Sequence, residues 1–162
     1  MSKPSRYKPK SPQEIAKNMS AIRSTGNRTE AALRTALHRM GYRYRKYVKG
    51  LPGRPDIVFT KQKVAVFVDG DFWHARALKE GTPEDVASML KTPNRQYWMK
   101  KFQRRLELDL SVNQRLAQQG WCVLRFWESD IRSDLTAALA IITYNLKTRR
   151  TKNLASRNCF GE

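Results

Sequence analysis

The chain has 162 residues, of which 40% are hydrophobic, and its 32 Lys and Arg outnumber its 14 Asp and Glu to give a formal net charge of +18. This length and hydrophobic content are typical of one folded domain and exclude a disordered chain. The positive charge predicts a polyanionic partner, because each Lys or Arg that neutralises a phosphate releases condensed counterions. Anionic membrane surfaces and ribosomal RNA are the alternatives to DNA.

The pattern of hydrophobic residues indicates neither a membrane-spanning segment nor a secretory signal. We therefore expect a cytoplasmic, nucleoid-associated protein that is not secreted and has no membrane partner. Cysteine and histidine are scarce, since the chain has only Cys122, Cys159, His38 and His74. A structural zinc site would need all four, so we expect no structural zinc.

The N-terminal part begins with a predicted flexible arm at residues 1–10, ahead of a single predicted domain at 11–146. A capping-box pattern at residues 11–14 predicts a helix that runs to about residue 23. A second helix is predicted at 29–40.

Glu30 lies in the first turn of this second helix, where a favourable interaction with the helix dipole is a sufficient reason for its presence. Gly41 is placed to end the helix. Residues 42–48 begin by alternating aromatic and basic side chains, as a strand with one buried face does. The sequence therefore predicts a strand there.

Two short apolar runs, residues 57–59 and 64–68, flank a turn and predict a β-hairpin. Asp56 precedes the first run, and Asp69 and Asp71 follow the second, so the hairpin brings carboxylates to one end of a sheet. Carboxylate oxygens are the ligands that Mg²⁺ prefers, which predicts a divalent metal site. The alternative is that Asp56 caps a turn and that the other two lie in a solvated loop.

Beyond the hairpin, residues 75–90 predict a loop with a short helix that starts at Thr82-Pro83. A long helix is predicted from about Asn94 to Gly120, and its basic face is either solvated or follows a DNA backbone. The expected apolar face consists of Tyr97, Trp98, Phe102, Leu106 and Leu110, and the basic face of Lys100, Lys101, Arg104 and Arg105.

Residues 121–127 predict a buried strand, closed by residues 128–130. A last helix follows from about Asp134 to Leu146, and residues 147–162 form a basic tail that we expect to be frayed. The predicted order α-α-β-β-β-α-β-α indicates an α/β fold with a small mixed sheet between helices.

Phe72 and Trp73 follow the acidic turn directly. On a strand, adjacent side chains point to opposite sides, so at least one of the two rings would leave the side of the carboxylates. Either they are core residues, or they act as wedges that unstack a base step and bend DNA. His74 is either a packing residue or the group that positions or deprotonates a water in phosphodiester hydrolysis.

Six short motifs follow one another along the chain: Asn18-Met19-x-x-Ile22-Arg23-Ser24, Glu30-x-x-Leu33-Arg34, Leu51-Pro52-Gly53-Arg54-Pro55-Asp56, Phe72-Trp73-His74, Gly120-Trp121 and Trp127-Glu128. In this order, from about Lys17 to Asp130, they resemble the very-short-patch repair (Vsr) endonucleases. The resemblance implies a PD-(D/E)xK restriction-endonuclease fold and Mg²⁺-dependent nicking of duplex DNA on the 5′ side of the thymine in a T:G mismatch.

The resemblance also implies roles for single residues. Asp56 would bind the metal, His74 would activate or position the attacking water, and Glu30 would be a supporting carboxylate. Val68 would offer its backbone carbonyl to the metal, and Asp69, where the family has His, could add a ligand for one or two Mg²⁺ ions. The expected DNA contacts are the wedges Met19, Phe72 and Trp73 and the basic residues Arg23, Arg54, Lys100, Lys101 and Arg104.

The chain departs from the family at its zinc ligands, which are all replaced; Asp71 and Ser129 stand at two of those positions. We therefore expect packing to hold residues 75–90 in place of zinc. Two alternatives remain open: a nickase or defence nuclease with another DNA substrate, and a DNA-binding protein without catalysis.

Overall fold

The computed structural model describes residues 28–89 and 95–158. The predicted arm, the predicted first helix, Met19 and Arg23 therefore lie outside the described residues. No helix in the described part is long and apolar enough to cross a membrane.

A three-stranded sheet in the order β1-β2-β3 lies between helices. Strands β1 and β2 pair antiparallel, with Ile57 opposite Val66, and β2 and β3 pair parallel, with Val64 opposite Cys122. The predicted α/β class, a small mixed sheet flanked by helices, is confirmed. In chain order the elements are α1 (28–39), β1 (Ile57–Phe59), β2 (Val64–Asp69), α2 (Arg76–Glu80), α3 (Pro83–Met89), α4 (Arg95–Gln118), β3 (Cys122–Trp127), α5 (Glu128–Ser133) and α6 (Leu135–Asn158).

The core covers both faces of β2, which explains why this strand is apolar throughout rather than alternating. Successive strand residues point to opposite faces, so Val64 and Val66 join the cluster with α1 and α6, while Ala65 and Phe67 join the cluster with α4. A third cluster, around Phe102, packs α2 and α3 onto α4. Both faces of the hairpin are thereby fixed, and with them the position of its acidic end.

Gly53 shows how closely the loop before β1 approaches α4. Its φ is +74°, a left-handed conformation that favours glycine, and a Cβ placed there would lie 2.5 Å from a methyl group of Val112. The glycine therefore allows the loop that leads into Asp56 to pass against the helix.

The strand predicted at 42–48 is wrong. Only one isolated bridge, between Arg45 and Val58, forms in this segment, and Tyr47 has a left-handed backbone (φ 50°) that ends the extended path. The rings of Tyr42 and Tyr44 pack edge-on against Phe59, at 6.4 and 6.2 Å between centroids. The alternation of aromatic and basic residues therefore reflects the packing of two tyrosines on the edge of the core, and it does not indicate a strand.

The apolar face predicted for α4 is wrong at two positions, since Tyr97 and Leu110 are 60% and 62% exposed. Steps of four residues advance about 400° around an α-helix, so a face drawn at i, i+4 and i+8 drifts by about 40° per step. The buried residues follow a mixed spacing and are Phe102, Asp109, Val112 and Leu116.

Other boundaries also differ from the predictions. Helix α3 begins at the predicted place, where Thr82 and Asp85 cap each other, but α2 was not predicted. Residues 128–130, expected only to close β3, begin α5. Strand β3 is mostly half-buried rather than buried because it lies at the sheet edge, and α6 continues to Asn158, well past the predicted end at Leu146.

Candidate active site

The candidate active site lies where β2 ends beside the residue that precedes β1. The backbone N–H of Asp56 donates to the carbonyl of Val66 (3.0 Å), and the N–H of Val68 donates to Oδ2 of Asp56 (2.8 Å). Asp69 is the last residue of β2. The antiparallel register therefore brings Asp56, Val68 and Asp69 together, as the hairpin predicted.

Asp56 is a carboxylate in an unfavourable environment. Burial raises the pKa of this group, and the charge of Asp69 raises it further, while the hydrogen bond from Val68 lowers it. Among the described residues, the Val68 amide is the only hydrogen-bond donor to its side chain. A cation near Asp56 would stabilise the ionised form.

A tight turn after β2 brings His74 back to the sheet end. The N–H of His74 donates to the carbonyl of Gly70 (3.0 Å), and the following residue, Ala75, has a left-handed backbone (φ 55°) and is buried. The ring Nδ1 lies 2.8 Å from Oδ2 of Asp109 and 3.2 Å from Oδ1 of Asp69. The turn thus sets the imidazole between β2 and α4.

Asp109 is a site residue that the sequence reasoning missed. It is 3% exposed and lies in the buried stripe of α4, at a position where an apolar residue would be expected. One signal was available: an acidic residue falls seven positions after Phe102 and three before Val112, in register with the apolar stripe. An ionised residue is rarely fully buried unless it is paired, so this position indicates a partner.

Ligand atoms of Asp69, His74 and Asp109 lie within 4.8 Å of one another, close enough for the three residues to hold a metal ion. Cations already surround the two carboxylates. Arg125 of β3 lies 2.6 Å from Asp69 and 3.3 Å from Asp109. Arg105, at 3.3 Å, and Lys79, at 3.5 Å, also contact Asp109. Two carboxylates thus face three cations.

The pKa of Asp109 follows from these contacts. Burial raises it, but the hydrogen bond from His74 and the charge of Arg125 outweigh burial and lower the pKa to about 2. The Asp109 carboxylate is therefore ionised near neutral pH and only accepts hydrogen bonds. In the neutral imidazole the proton must then reside on Nδ1 of His74, which leaves the lone pair on Nε2.

Glu30 lies on α1 and forms an ion pair with Arg34, one turn further along the helix. Arg34 in turn lowers the pKa of Asp56 through its charge. Arg34 of α1 therefore belongs to the electrostatic surroundings of Asp56. Thr29 joins this helix to the first residue of α5 by donating to Glu128 (3.3 Å).

Phe72 and Trp73 lie in the turn after β2 rather than on a strand, so the alternation of a strand does not determine the directions of their side chains. Their rings contact each other edge-on at 5.2 Å, and Phe72 also contacts Trp98 and Phe102 at 5.4 and 5.3 Å. Phe72 is nevertheless 41% exposed. Lys101 lies over Trp98 and Trp73, at 4.8 and 5.2 Å from the ring centroids. We call these five residues the aromatic patch.

The remaining predicted DNA contacts Arg54, Lys100 and Arg104 are exposed, and the last two lie on α4 with Lys101. A cavity of about 360 Å³ opens between α4 and the turn, and its lining includes Trp73, His74, Lys101, Arg104, Arg105 and Leu108. The basic face of α4 therefore borders His74 directly.

Arg76, Asp71 and Ser129 form a polar cluster in the region where we expected packing to replace zinc. Arg76 donates to Asp130 and Ser129, both at 2.6 Å, and to Asp71 at 3.2 Å, while the hydroxyl of Ser129 also donates to Asp71. Burial opposes ionisation of Asp71, but hydrogen bonds from Ser129 and Arg76 hold the pKa of its carboxyl below the usual value. This cluster joins the turn after β2 to the start of α5, in addition to the expected packing.

Comparison with known proteins gives consistent matches. A family model described as DNA mismatch endonuclease Vsr matches residues 10–80. The chain is 43% identical over 137 residues to Type II nicking enzyme V.NaeI of Lentzea aerocolonigenes, which covers 82% of this chain and 78% of the relative. It is 39% identical to Type II nicking enzyme V.NmeDIP of Neisseria meningitidis serogroup C, over 77% of this chain and 80% of the relative. DNA mismatch endonuclease Vsr of Escherichia coli K12 is 31% identical, over 72% and 70%.

Proposed function

Because this chain belongs to the Vsr family of DNA endonucleases, we propose that it nicks one strand of duplex DNA at a mismatched base pair, with T:G or a related deaminated base as the substrate. Its small mixed sheet flanked by helices is consistent with the PD-(D/E)xK-like architecture of such enzymes. The observation that carries the proposal is the convergence of Asp56, Asp69 and His74 at one sheet end, beside an exposed aromatic and basic surface.

Asp56 fits a divalent cation better than the cluster of Asp69, His74 and Asp109 does. The carboxylate of Asp56 is half-buried and its pKa is raised by burial, whereas the other two carboxylates already face three cations. We therefore assign Mg²⁺ to Asp56 and the backbone carbonyl of Val68, with Asp69 as a neighbour that shapes the local charge. When bound, such an ion supplies nucleophile activation and charge stabilisation in phosphodiester hydrolysis.

His74 is the proposed general base. Its Nε2 lone pair would take a proton from the attacking water as the oxygen bonds to phosphorus and the bond to the leaving oxygen breaks. Asp109 would hold the ring in the required tautomer and stabilise the imidazolium that forms. Glu30, paired with Arg34, would support the charge balance around Asp56.

The aromatic patch is the proposed contact with the mismatch. A mismatched step is easier to unstack than a paired one, so a ring that enters beside it senses deformability. Phe72 is the patch's exposed phenyl ring, and Trp73 lies next to it. Met19 and Arg23 remain proposed contacts from the N-terminal segment, and Arg54, Lys100, Lys101 and Arg104 are proposed phosphate contacts.

A second candidate is a nickase of the same chemistry with another duplex substrate. Two of the relatives above are named Type II nicking enzymes and share 43% and 39% identity with this chain, against 31% for the Escherichia coli mismatch endonuclease. Asp69 and Asp71 also change the motif that the resemblance rests on.

One assay distinguishes the candidates. The protein with Mg²⁺ is incubated with duplexes that carry each mismatch, uracil, hypoxanthine or only paired bases, with both strands labelled at the end. We expect one strand to be cut next to the mismatched thymine, and only with the metal present. Equal cutting of paired DNA would favour the second candidate, and tight binding without scission of any duplex would exclude the proposed reaction.

A further inference from the structure

Arg105 of α4 covers the ring of His74. Its Nη2 lies 2.8 Å from Nε2 of the imidazole, and its Nε lies 3.3 Å from Nδ1 and 3.3 Å from Oδ1 of Asp109. A guanidinium only donates hydrogen bonds, so its Nη2–H must donate to the Nε2 lone pair. Arg105 thus occupies the Nε2 lone pair, which His74 would need in order to accept a proton as a general base.

This contact cannot persist while His74 acts as a base. A general base must lie within hydrogen-bond distance of the proton that it removes, and here a donor from the protein takes that place. Either His74 is inactive, or the Arg105 guanidinium moves when DNA binds. The second option requires a better partner for the guanidinium elsewhere.

Both partners of Arg105 are shared with other groups. One is the imidazole of His74, which also contacts Asp69 and Asp109, and the other is the Asp109 carboxylate, which Arg125 and Lys79 also contact. The Arg105 side chain is 39% exposed, so a group from outside the protein can contact it. A phosphodiester offers two anionic oxygens in the geometry that a guanidinium binds by two parallel hydrogen bonds.

The surroundings of Arg105 indicate where such a phosphate would lie. Lys101 and Arg104 line the same cavity as Arg105 and His74, so three cations border the open side of the imidazole. Trp73 forms an aromatic wall of this cavity. A strand that lies along the basic face of α4 would therefore bring a phosphate to Arg105 and His74 together.

We propose that Arg105 binds the phosphate of the cut strand, and that its guanidinium exchanges Nε2 of His74 for this phosphate when DNA binds. The exchange uncovers the base only after the strand is in position. This inference rests on the proposed role of His74, and it adds a substrate contact that lies on α4, apart from Asp56 and Val68.

The test compares Arg105→Gln, Arg105→Lys and the matched control Arg115→Gln in single-turnover nicking of a duplex that the unmodified protein cuts. Loss of a donor that contacts the reacting phosphate should slow Arg105→Gln by about 10²-fold. Arg115→Gln removes an exposed charge from the last turn of the same helix, outside this cavity, and should slow the reaction by less than about fivefold. Arg105→Lys keeps the charge but cannot form the bidentate hydrogen bonds of a guanidinium, so its nicking rate should lie between the rates of the other two variants.

Duplexes with a single neutral methylphosphonate locate the contact. Each duplex carries the methylphosphonate at one of three positions: the cut position or the phosphate on either side of it. Binding of each duplex is measured for each variant. We expect substitution at the cut position to weaken binding by the unmodified protein and by Arg115→Gln, but to have little further effect on Arg105→Gln. This loss of additivity would not arise from a merely structural role.

Three results would overturn the inference. They are equal rates for Arg105→Gln and Arg115→Gln, a faster reaction for Arg105→Gln, and full additivity with the methylphosphonate at all three phosphates. If Arg105→Gln does not fold, Arg105→Lys in the same binding cycle decides the question. Absence of nicking by the unmodified protein would instead contradict the proposed function.

Discussion

The Nδ1 atom of His74 lies 2.8 Å from Oδ2 of Asp109, although 35 residues separate them in the chain. The ionised carboxylate fixes the proton on Nδ1 and leaves the lone pair of Nε2 facing Arg105. The same carboxylate contacts Arg125 of β3 and Lys79 of α2, so it links α4 to β3, to α2 and to the turn after β2. One buried acidic residue thus orients the proposed base and connects these elements.

Asp109→Asn should lower the single-turnover rate of nicking by about 10²-fold or more, while DNA binding changes little. The amide can donate as well as accept, so it no longer selects the tautomer that His74 needs. Gel-based nicking and fluorescence binding would be measured on the same duplex. An unchanged rate would exclude a positioning role for Asp109.

The low pKa of Asp109 also predicts a pH dependence of stability. Its pKa is lowered from 3.8 in the unfolded chain to about 2 in the fold, so the stabilisation is present above pH 4 and is lost as the pH falls towards 2. The shift corresponds to on the order of 2 kcal/mol of unfolding free energy. Urea unfolding at pH 7, 5 and 3 should therefore show that Asp109→Asn loses less stability on acidification than the unmodified protein. Parallel losses would contradict the assignment.

Asp56→Asn should abolish nicking, by more than about 10²-fold, and leave DNA binding largely intact. Burial raises the pKa of Asp56, so its ionised form destabilises the metal-free fold at pH 7, and the neutral amide removes this cost. The melting temperature of the variant without metal should therefore rise, and this gain should shrink as the pH falls through the raised pKa. Mg²⁺ should raise the melting temperature of the unmodified protein only. An equal response of both proteins to Mg²⁺ would mean that the ion binds elsewhere.

The cluster around Arg76 predicts a fold that does not depend on a chelatable metal. Arg76→Gln removes the contacts to Asp71, Asp130 and Ser129, of which some are half-exposed, so we expect a loss of about 1 kcal/mol. The melting temperature should fall by about 3 °C. Arg132→Gln, at an exposed position of α5, serves as the control.

Two outcomes would contradict this role of the cluster. One is a large fall in the melting temperature of the unmodified protein on addition of a strong zinc chelator. The other is an equal effect of Arg76→Gln and Arg132→Gln at low salt. High salt should narrow the difference between the variants, because exposed ion pairs are screened.

The sequence predicts the hairpin and its acidic end because both depend on short-range patterns. Two apolar runs with a turn between them determine the register, and the register brings Asp56 to Val68 and Asp69. The partners of Asp109 and Arg105 could not be found in this way, since they depend on how α4 packs across the sheet, although the position of Asp109 in the apolar stripe of α4 indicates that it has a partner. The local pattern also led to a wrong prediction for residues 42–48. The aromatic residues alternate there because two tyrosines pack against Phe59, and the segment does not form a strand.

The position of the aromatic patch predicts that Phe72 and Trp73 govern the choice of substrate rather than the chemistry. Phe72→Ala should lower the ratio of nicking rates on mismatched and paired duplexes by about tenfold, because one stacking contact with a base is worth about 1–3 kcal/mol. Tyr97→Ala is the matched control, since Tyr97 is 60% exposed and contacts Trp98 in the same region of α4. It should leave the ratio nearly unchanged.

The double variant Phe72→Ala, Trp73→Ala makes the comparison decisive, and its melting temperature is measured alongside the rates. Phe72 also packs on Trp98 and Phe102, so some loss of stability is expected whether or not the rings contact DNA. Discrimination is a ratio of rates for one protein preparation, and a smaller folded fraction lowers both rates equally. An unchanged ratio in the double variant would therefore assign these two rings to the core alone.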